Sequence, residues 1–530
     1  MLDYYSFADV LVFIAYGLVL LGSGWLFNRR NKSTQDYFLG GNKMPMWVVA
    51  ISVLATSQSA ATFLGGPDQG YRGDLTYLAT NIGAFIAVGF VAMFLIPKFY
   101  QFRVYTVYEL LERRFGSAAK RQAGVMYLFG RIFASGARLY MAAIAVAMIL
   151  FGNFDASSVI TATLIITLAG LLYTVYGGIR TVIYSDVLQA VVYVSAAIAV
   201  IIVLYNAIPI GFSELVQALQ NPAPGEASKL KLIDTEVDFS SAGVFNIWSV
   251  LTGFVLLNIA AFGLDQDMTQ RVLTCKSAKD GSKAMLMSVV MVIPVMLLFI
   301  VIGLLLYIYY QRPDIMATGQ GDGPVPTFAG EAVTIFMYYV LTEIPAGVRG
   351  LVTIGIIAAA LSTLNSGLNS MSSVLIQDLY RPWKLRRKSD ASEAHFVRAG
   401  QLGMTLVAAA LALMACLCYY WQQYTDTPLL QFALSVMVFS YSGLLGVYFV
   451  TLFSRRGSPT SVAAALVVGF IVPLLMQPYV MDVLWPKAWV TDIGFTWQLM
   501  IGTAISTLIC LTGASSKTAN DASPERLKSD

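Results

Sequence analysis

Charge is what this sequence has little of. Lys, Arg, Asp and Glu make up 12% of its 530 residues, against about 25% in a soluble domain. That shortage excludes a water-soluble chain of this length, which could not clothe its core in polar surface. Histidine is nearly missing: the single copy, His395, follows a basic segment, so neither a histidine-based catalytic centre nor a histidine proton relay is expected. The four cysteines, Cys275, Cys416, Cys418 and Cys510, lie in or beside apolar stretches with no metal-ligand spacing and no disulfide pattern. They read as buried small hydrophobes. There is no nucleotide-binding loop, metal-ligand cluster or nucleophile–base pair, so an enzyme is not expected. Nothing supports nucleic-acid binding or an obligate protein partner.

Apolar residues are there in abundance, 57% of the chain, in runs of about 20 or more, the length that crosses a bilayer as helix. An all-α integral membrane protein of about 13 spans follows, at approximately 7–27, 45–66, 76–97, 122–151, 157–176, 181–207, 245–274, 284–310, 347–378, 396–420, 429–453, 459–484 and 493–513. We number these spans 1 to 13. Span 1 lacks a basic leader and ends in Asn28-Arg29-Arg30-Asn31-Lys32, so it reads as a membrane span rather than a cleaved signal. Alternate loops are basic, as at Arg113, Arg114, Lys120 and Arg121, and again from Arg381 to Lys388. The intervening loops are not, and 208–244 is rich in Asp and Glu. This asymmetry places the N-terminus outside and the C-terminus in the cytoplasm of an inner (cytoplasmic) membrane. Residues 107–116 between spans 3 and 4 read as a short amphipathic cytoplasmic helix ended by Gly116. The tail after about 514 is too short for a signalling domain.

Polar clusters at mid-depth are tolerated only inside protein or beside water. Span 2 carries one, Ala55-Thr56-Ser57-Gln58-Ser59-Ala60-Ala61-Thr62, closed by Gly65-Gly66-Pro67. Unwinding there would free carbonyl oxygens for a cation and N–H groups for an anion. A packing face of small residues is the other reading. Span 9 carries a second cluster, in which Ser362, Thr363 and Ser366 share a helical face. Neutral oxygens from both spans would suit sodium, a hard cation. Asp186 in span 6 is either functional or hydrated near the cytoplasmic mouth. Phe262-Gly263-Leu264 in span 7 marks a second break, and Asp265 and Asp267 beyond it read as hydrated residues near the inner mouth. Arg131 and Arg138 occupy one face of span 4 near mid-depth. Each must meet water, an acid or an anionic substrate.

Taken together, these segments resemble the sodium:solute symporter family. The resemblance runs from about 7 to 453 and rests on Thr34-Gln35-Asp36-Tyr37-Phe38-Leu39-Gly40-Gly41, the segment 108–115, Tyr173-Thr174-Val175-Tyr176-Gly177-Gly178-Ile179 leading to Tyr184-Ser185-Asp186, and Leu368-Asn369-Ser370 through Asp378-Leu379-Tyr380. It implies a leucine-transporter-type 5+5 inverted repeat. An extra helix and loop would occupy 1–44, the ten-helix core 45–453, two peripheral helices 454–513 and a polar tail 514–530. Carried over by position, a sodium site would use the carbonyls of Ala55, Gln58 and Ala359 with the hydroxyls of Ser362 and Thr363. The second sodium of some members would use Asp186, Ser362, Asn365 and Ser366, although Asn365 stands where that pattern has serine. Substrate contacts would come from Ser59, Thr62, Asn81, Asn258 and Phe262.

Galactose-carrying members have an acid and an amide where this chain has Ala61 and Thr62, and a further acid at Asn81. Ser59-Ala60-Ala61-Thr62 instead resembles the monocarboxylate, vitamin and iodide branch. Ser59 and Thr62 also match positions that hold a carboxylate in sialic-acid carriers. The resemblance implies sodium-coupled symport of a small organic solute by alternating access, leaning to an organic anion. A sodium-coupled sugar or polyol symporter, a proton-coupled carrier using Asp186, and a membrane sensor are the alternatives.

Overall fold

The computed structural model describes residues 5–27, 33–153, 155–222, 227–316, 327–328, 331–332, 334–387, 391–422, 429–484, 486 and 489–514. The basic stop at 28–32, Lys388 and most of the tail lie outside these residues, as does the Ala61 side chain. Among the described residues, nine helices are long and apolar enough to cross a membrane, two further pairs are bent across short breaks, and two helices are apolar but shorter. All thirteen expected spans are therefore helical. The β structure among the described residues is one short hairpin pairing, Thr327–Phe328 with Glu331–Ala332.

Span 2 is Met46–Ser57 followed by Ala60–Arg72, and the axes of Met46–Ser57 and Thr62–Arg72 meet at 61°. The sequence puts the end of this span at Gly65-Gly66-Pro67, but the helix runs through all three. Their role is contact with span 8 (Ala278–Gln311). A Cβ on Gly66 would lie 2.8 Å from Phe299 Cβ, and one on Gly70 2.2 Å from the Ile300 carbonyl oxygen. On the facing helix, a Cβ on Gly303 would lie 2.1 Å from the Pro67 oxygen. Small residues let the two backbones touch. The chain breaks earlier, at Gln58, where φ −88° and ψ 112° are extended.

Spans 5 and 6 form one long helical stretch broken at Gly178, whose φ of +63° is available to glycine at little steric penalty. A Cβ there would come within 2.6 Å of the Tyr37 carbonyl oxygen. Tyr37 belongs to the short helix Thr34–Leu39, and its hydroxyl donates to the Val175 carbonyl at 2.8 Å. Arg180 donates to the Gly40 carbonyl at 2.9 Å. Two sequence motifs more than a hundred residues apart thus dock on each other. Span 7 breaks after Leu264, where Asp265 is extended and caps the following helix Gln266–Leu273 by accepting the Asp267 N–H at 2.9 Å. The break falls next to the expected Phe262-Gly263-Leu264.

Span 9, the helix from Val348 onward, packs along spans 5 and 6 and crosses span 2. Its N-terminus is capped from span 1: Asp9 Oδ1 accepts the N–H groups of Gly347 and Gly350 at 2.8 and 2.7 Å. A carboxylate there complements the positive end of the helix. Residues 109–115 form the amphipathic helix between spans 3 and 4, ended by Gly116 at φ +85°.

Candidate functional site

Two broken helices and span 9 meet in the middle of the molecule. At the first break, the Ser59 carbonyl accepts the N–H groups of Thr62 and Phe63 at 2.9 and 3.0 Å and starts the second half-helix. The last carbonyls of Met46–Ser57 lose the amides that a continuous helix would supply. Thr56 Oγ1 reaches Ser366 Oγ of span 9 at 3.2 Å, so spans 2 and 9 are joined at the level of the break.

A cavity of about 120 Å³ lies beside this break, lined by Gln58, Thr62, Tyr77, Asn81, Asn258 and Phe262 among others. Four of the expected substrate residues, Thr62, Asn81, Asn258 and Phe262, therefore share one wall system. Asn81 and Asn258 each donate to a carbonyl of their own helix, at 2.9 and 2.8 Å, which leaves their amide oxygens to accept. Ser59 lies elsewhere. It lines a separate narrow crevice with Ser135, Arg138, Ala360 and Thr363. Three residues apart, Ser59 and Thr62 face different spaces: Ser59 lies in the break itself, and Thr62 in the half-helix that follows it.

Arg131 and Arg138 part company too. Arg131 donates to Asp265 at 2.7 Å and to Asp267, and Tyr441 donates to Asp265 at 2.6 Å. All four side chains are buried. Asp265 and Asp267, expected to be hydrated near the inner mouth, are instead sealed in this network. Burial without partners would be prohibitive; Arg131 supplies one to both acids, and Arg271, from the half-helix after the break, supplies a second to Asp267. Arg131 is thereby engaged in pairing rather than open to a substrate. Arg138 meets no carboxylate within 4 Å among the described residues; its guanidinium lies 3.1 Å from Met437 Sδ and faces the crevice.

Asp186 is fully buried, which excludes the hydrated reading. Ser362 donates to its Oδ1 at 2.7 Å, and Ser52 donates to its Oδ2 at 2.5 Å. Arg271, also fully buried, donates to the same Oδ2 at 3.1 Å. Arg271 further binds Asp267 Oδ1 at 2.9 Å, Ser52 Oγ at 2.8 Å, and Ser366 Oγ. Of the residues expected around a second sodium, Asp186 and Ser366 thus bind a guanidinium, and Ser362 binds Asp186. Asn365 is not among them: its amide atoms are buried without partners, and its oxygen would lie 2.8 Å from a Cβ on Gly170 of span 5. Thr363 donates to the Ala359 carbonyl at 3.2 Å. Ala55 is buried in the helix wall directly before the break.

Arg271, Ser52 and Tyr441 were not singled out from the sequence. A charge inside a span is itself a signal, and Arg271 carried it. Ser52 lies on an ordinary helical turn and Tyr441 in an apolar run, and nothing local distinguishes either.

Comparison with known proteins fits this geometry. Residues 37–468 match the model of the sodium:solute symporter family. The sodium/sialic acid symporter SiaT of Proteus mirabilis is 26% identical over 89% of this chain and 89% of its own length. The sodium/sialic acid symporter NanT of Aliivibrio fischeri is 27% identical over 94% of this chain and 92% of its own. A solved substrate-bound, outward-open Na+-coupled sialic acid symporter superposes with a TM-score of 0.77 at 23% identity, covering 97% of this chain and 99% of that one. Mhp1, a nucleobase-cation-symport-1 transporter, superposes at 0.52 with 12% identity. These likenesses identify the leucine-transporter-type fold, and with the family match they settle kinship: the chain belongs to the sodium:solute symporter family.

Proposed function

We propose that this multi-pass membrane protein couples inward sodium movement to uptake of a small organic anion by alternating access. The observation that carries the reading is Arg138. It is a guanidinium without a carboxylate partner among the described residues, held beside Ser59 in the crevice between the first break and span 9. An arginine fork suits a carboxylate, and the adjacent cavity offers Thr62, Asn81 and Asn258 to neutral polar groups. A hydroxylated or amide-bearing acid answers both, in keeping with the sialic acid symporters among the relatives.

Sodium would bind the carbonyls of Ala55, Gln58 and Ala359 with the hydroxyls of Ser362 and Thr363. Ser362 directs its proton at Asp186 and Thr363 its proton at the Ala359 carbonyl, so hydroxyl lone pairs remain for a cation. Sodium there would hold spans 2 and 9 together and favour the outward-open pocket. The inner gate would then open and release both sodium and solute. A tenfold sodium gradient supplies about 1.4 kcal/mol per ion, and each net charge crossing gains about 2.3 kcal/mol per 100 mV. The basic inner loops support an external N-terminus, a cytoplasmic C-terminus and residence in the cytoplasmic membrane. The transport core would be 45–453.

The test is radiolabelled uptake into proteoliposomes from a panel of sialic acid, monocarboxylates, vitamins and sugars, with sodium, lithium and potassium compared. Sodium-driven accumulation of an acid is expected. Uptake that ignores sodium and collapses with a protonophore points to proton coupling. Uptake of neutral sugars alone overturns the anion assignment, and no flux of any solute favours a sensor.

A further inference from the structure

Asp186 is gripped by a cation that belongs to the protein. The Arg271 guanidinium bridges its Oδ2 to Asp267, and the same group takes Ser366 Oγ and Ser52 Oγ as acceptors. Asp186 and Ser366 are two of the residues that a second sodium would use; Arg271 binds both, and all three are fully buried. A guanidinium and a sodium ion cannot share that space, because each needs the same lone pairs and two adjacent positive charges repel strongly in a low dielectric.

We propose that Arg271 is a tethered counter-cation which occupies the Asp186 pocket and excludes a second sodium from it. The inference rests on the sodium-symport reading and deepens it, by assigning one sodium to each cycle. Asp265 and Asp267 both bind Arg131, and Asp267 and Asp186 both bind Arg271. Arg271 is the only cation within 4 Å of Asp186 among the described residues. Remove its guanidinium and the Asp186 carboxylate needs another positive charge, with Ser362, Ser366 and Ser52 already placed to complete an oxygen shell. With Arg271 present the second site is closed, and a monoanion crosses with one sodium as a neutral pair.

The experiment is equilibrium binding of radioactive sodium to the purified full-length protein in detergent, with sodium uptake per solute measured in parallel in proteoliposomes. Wild type is expected to bind one sodium. Arg271→Gln combined with Asp267→Asn removes the guanidinium and one of its two acids, leaves Arg131 paired with Asp265, and is expected to bind two, a twofold rise. Arg271→Lys keeps the charge but loses the fork that spans Asp186, Ser52 and Ser366. It is expected to admit a second sodium at higher concentration, whereas a purely long-range charge effect would leave its binding as in wild type. Should the double variant fail to fold, Arg271→Lys decides. Two sodium ions in wild type, or a single ion in a folded double variant or in Arg271→Lys, overturns the proposal. Absence of sodium binding in every protein, wild type included, rejects the symport reading instead.

Discussion

Ser52 on span 2 and Ser362 on span 9 donate to opposite oxygens of one buried carboxylate, Asp186. The two spans that would clasp sodium are thereby cross-linked through a third, span 6. The Ser362 proton is held by Asp186, so its lone pairs are turned away from the acid. Ser362→Ala removes a cation ligand and leaves Asp186 Oδ1 without its donor. A hydrogen bond to a charged group contributes about 1.5–3 kcal/mol, so the sodium concentration for half-maximal uptake should rise roughly tenfold or more. A sodium titration of uptake checks this, and an unchanged midpoint counts against the site.

The pairing of Arg131 with Asp265 and Asp267 has a different signature. Arg131→Met leaves two buried acids with less compensation, a change that costs about 3–5 kcal/mol when one partner of a buried pair is removed. The variant should melt well below wild type in detergent, or fail to emerge as a monodisperse peak. Tyr441→Phe removes a single donor to Asp265 and should lower stability far less. Equal losses would contradict the network.

Much of this was legible in the sequence, and the reason is local. Bilayer thickness sets the length of every span, so thirteen helices and the polar break in span 2 could be read from runs of side chains. What could not be read was partnership across the fold. Arg271 lies 85 residues from Asp186 and 95 from Ser366, and no periodicity links them. The same blindness sent Asp265 and Asp267 to the inner mouth, because a pair of acids after a break looks alike whether it meets water or arginine. The Gly65-Gly66-Pro67 motif was misread for a related reason. Its purpose is the backbone of span 8, which appears only when the helices are packed.

That packing is testable at Gly303. A Cβ there meets the Pro67 oxygen at 2.1 Å and the Tyr71 nitrogen at 2.7 Å. Both are backbone atoms and cannot rotate aside. Gly303→Ala should force spans 2 and 8 apart at about 1–3 kcal/mol of overpacking, lowering the melting temperature. Gly89→Ala, where nothing lies within 4 Å, serves as the control and should leave stability near wild type.

Glu109 gives a pH dependence outside the membrane. Burial of the helix Glu109–Phe115 raises its carboxyl above the ordinary range, with Lys120 opposing in part. A raised acid binds its proton more readily folded than unfolded. Its stabilising share is therefore full below the unfolded value, about 4.3, and is lost as pH rises through the folded one. Glu109→Gln cannot ionise, so it should melt above wild type at pH 8, with the gap closing as pH falls towards 4. A gap that widens on acidification reverses the assignment.

Arg138 offers the sharpest separation of substrate from ion. Its guanidinium faces the Ser59 crevice, whereas the proposed sodium ligands draw on backbone carbonyls and hydroxyls. Arg138→Gln keeps a polar side chain of similar reach but loses the charge and the fork. Affinity for an acidic solute should fall by about 10–100-fold, the worth of a charged hydrogen bond of about 1.5–3 kcal/mol. Equilibrium sodium binding without solute should stay at the wild-type stoichiometry. Thr363, which lines the same crevice, predicts how the two sites talk. If the solute carboxylate sits between Arg138 and Ser59, it neutralises a positive charge beside a proposed sodium ligand. Sodium should then bind wild type more tightly when solute is present, and Arg138→Gln should erase that gain because its solute no longer seats there. Measuring sodium binding with and without saturating solute, in both proteins, decides it: a gain that survives in Arg138→Gln places the carboxylate somewhere else.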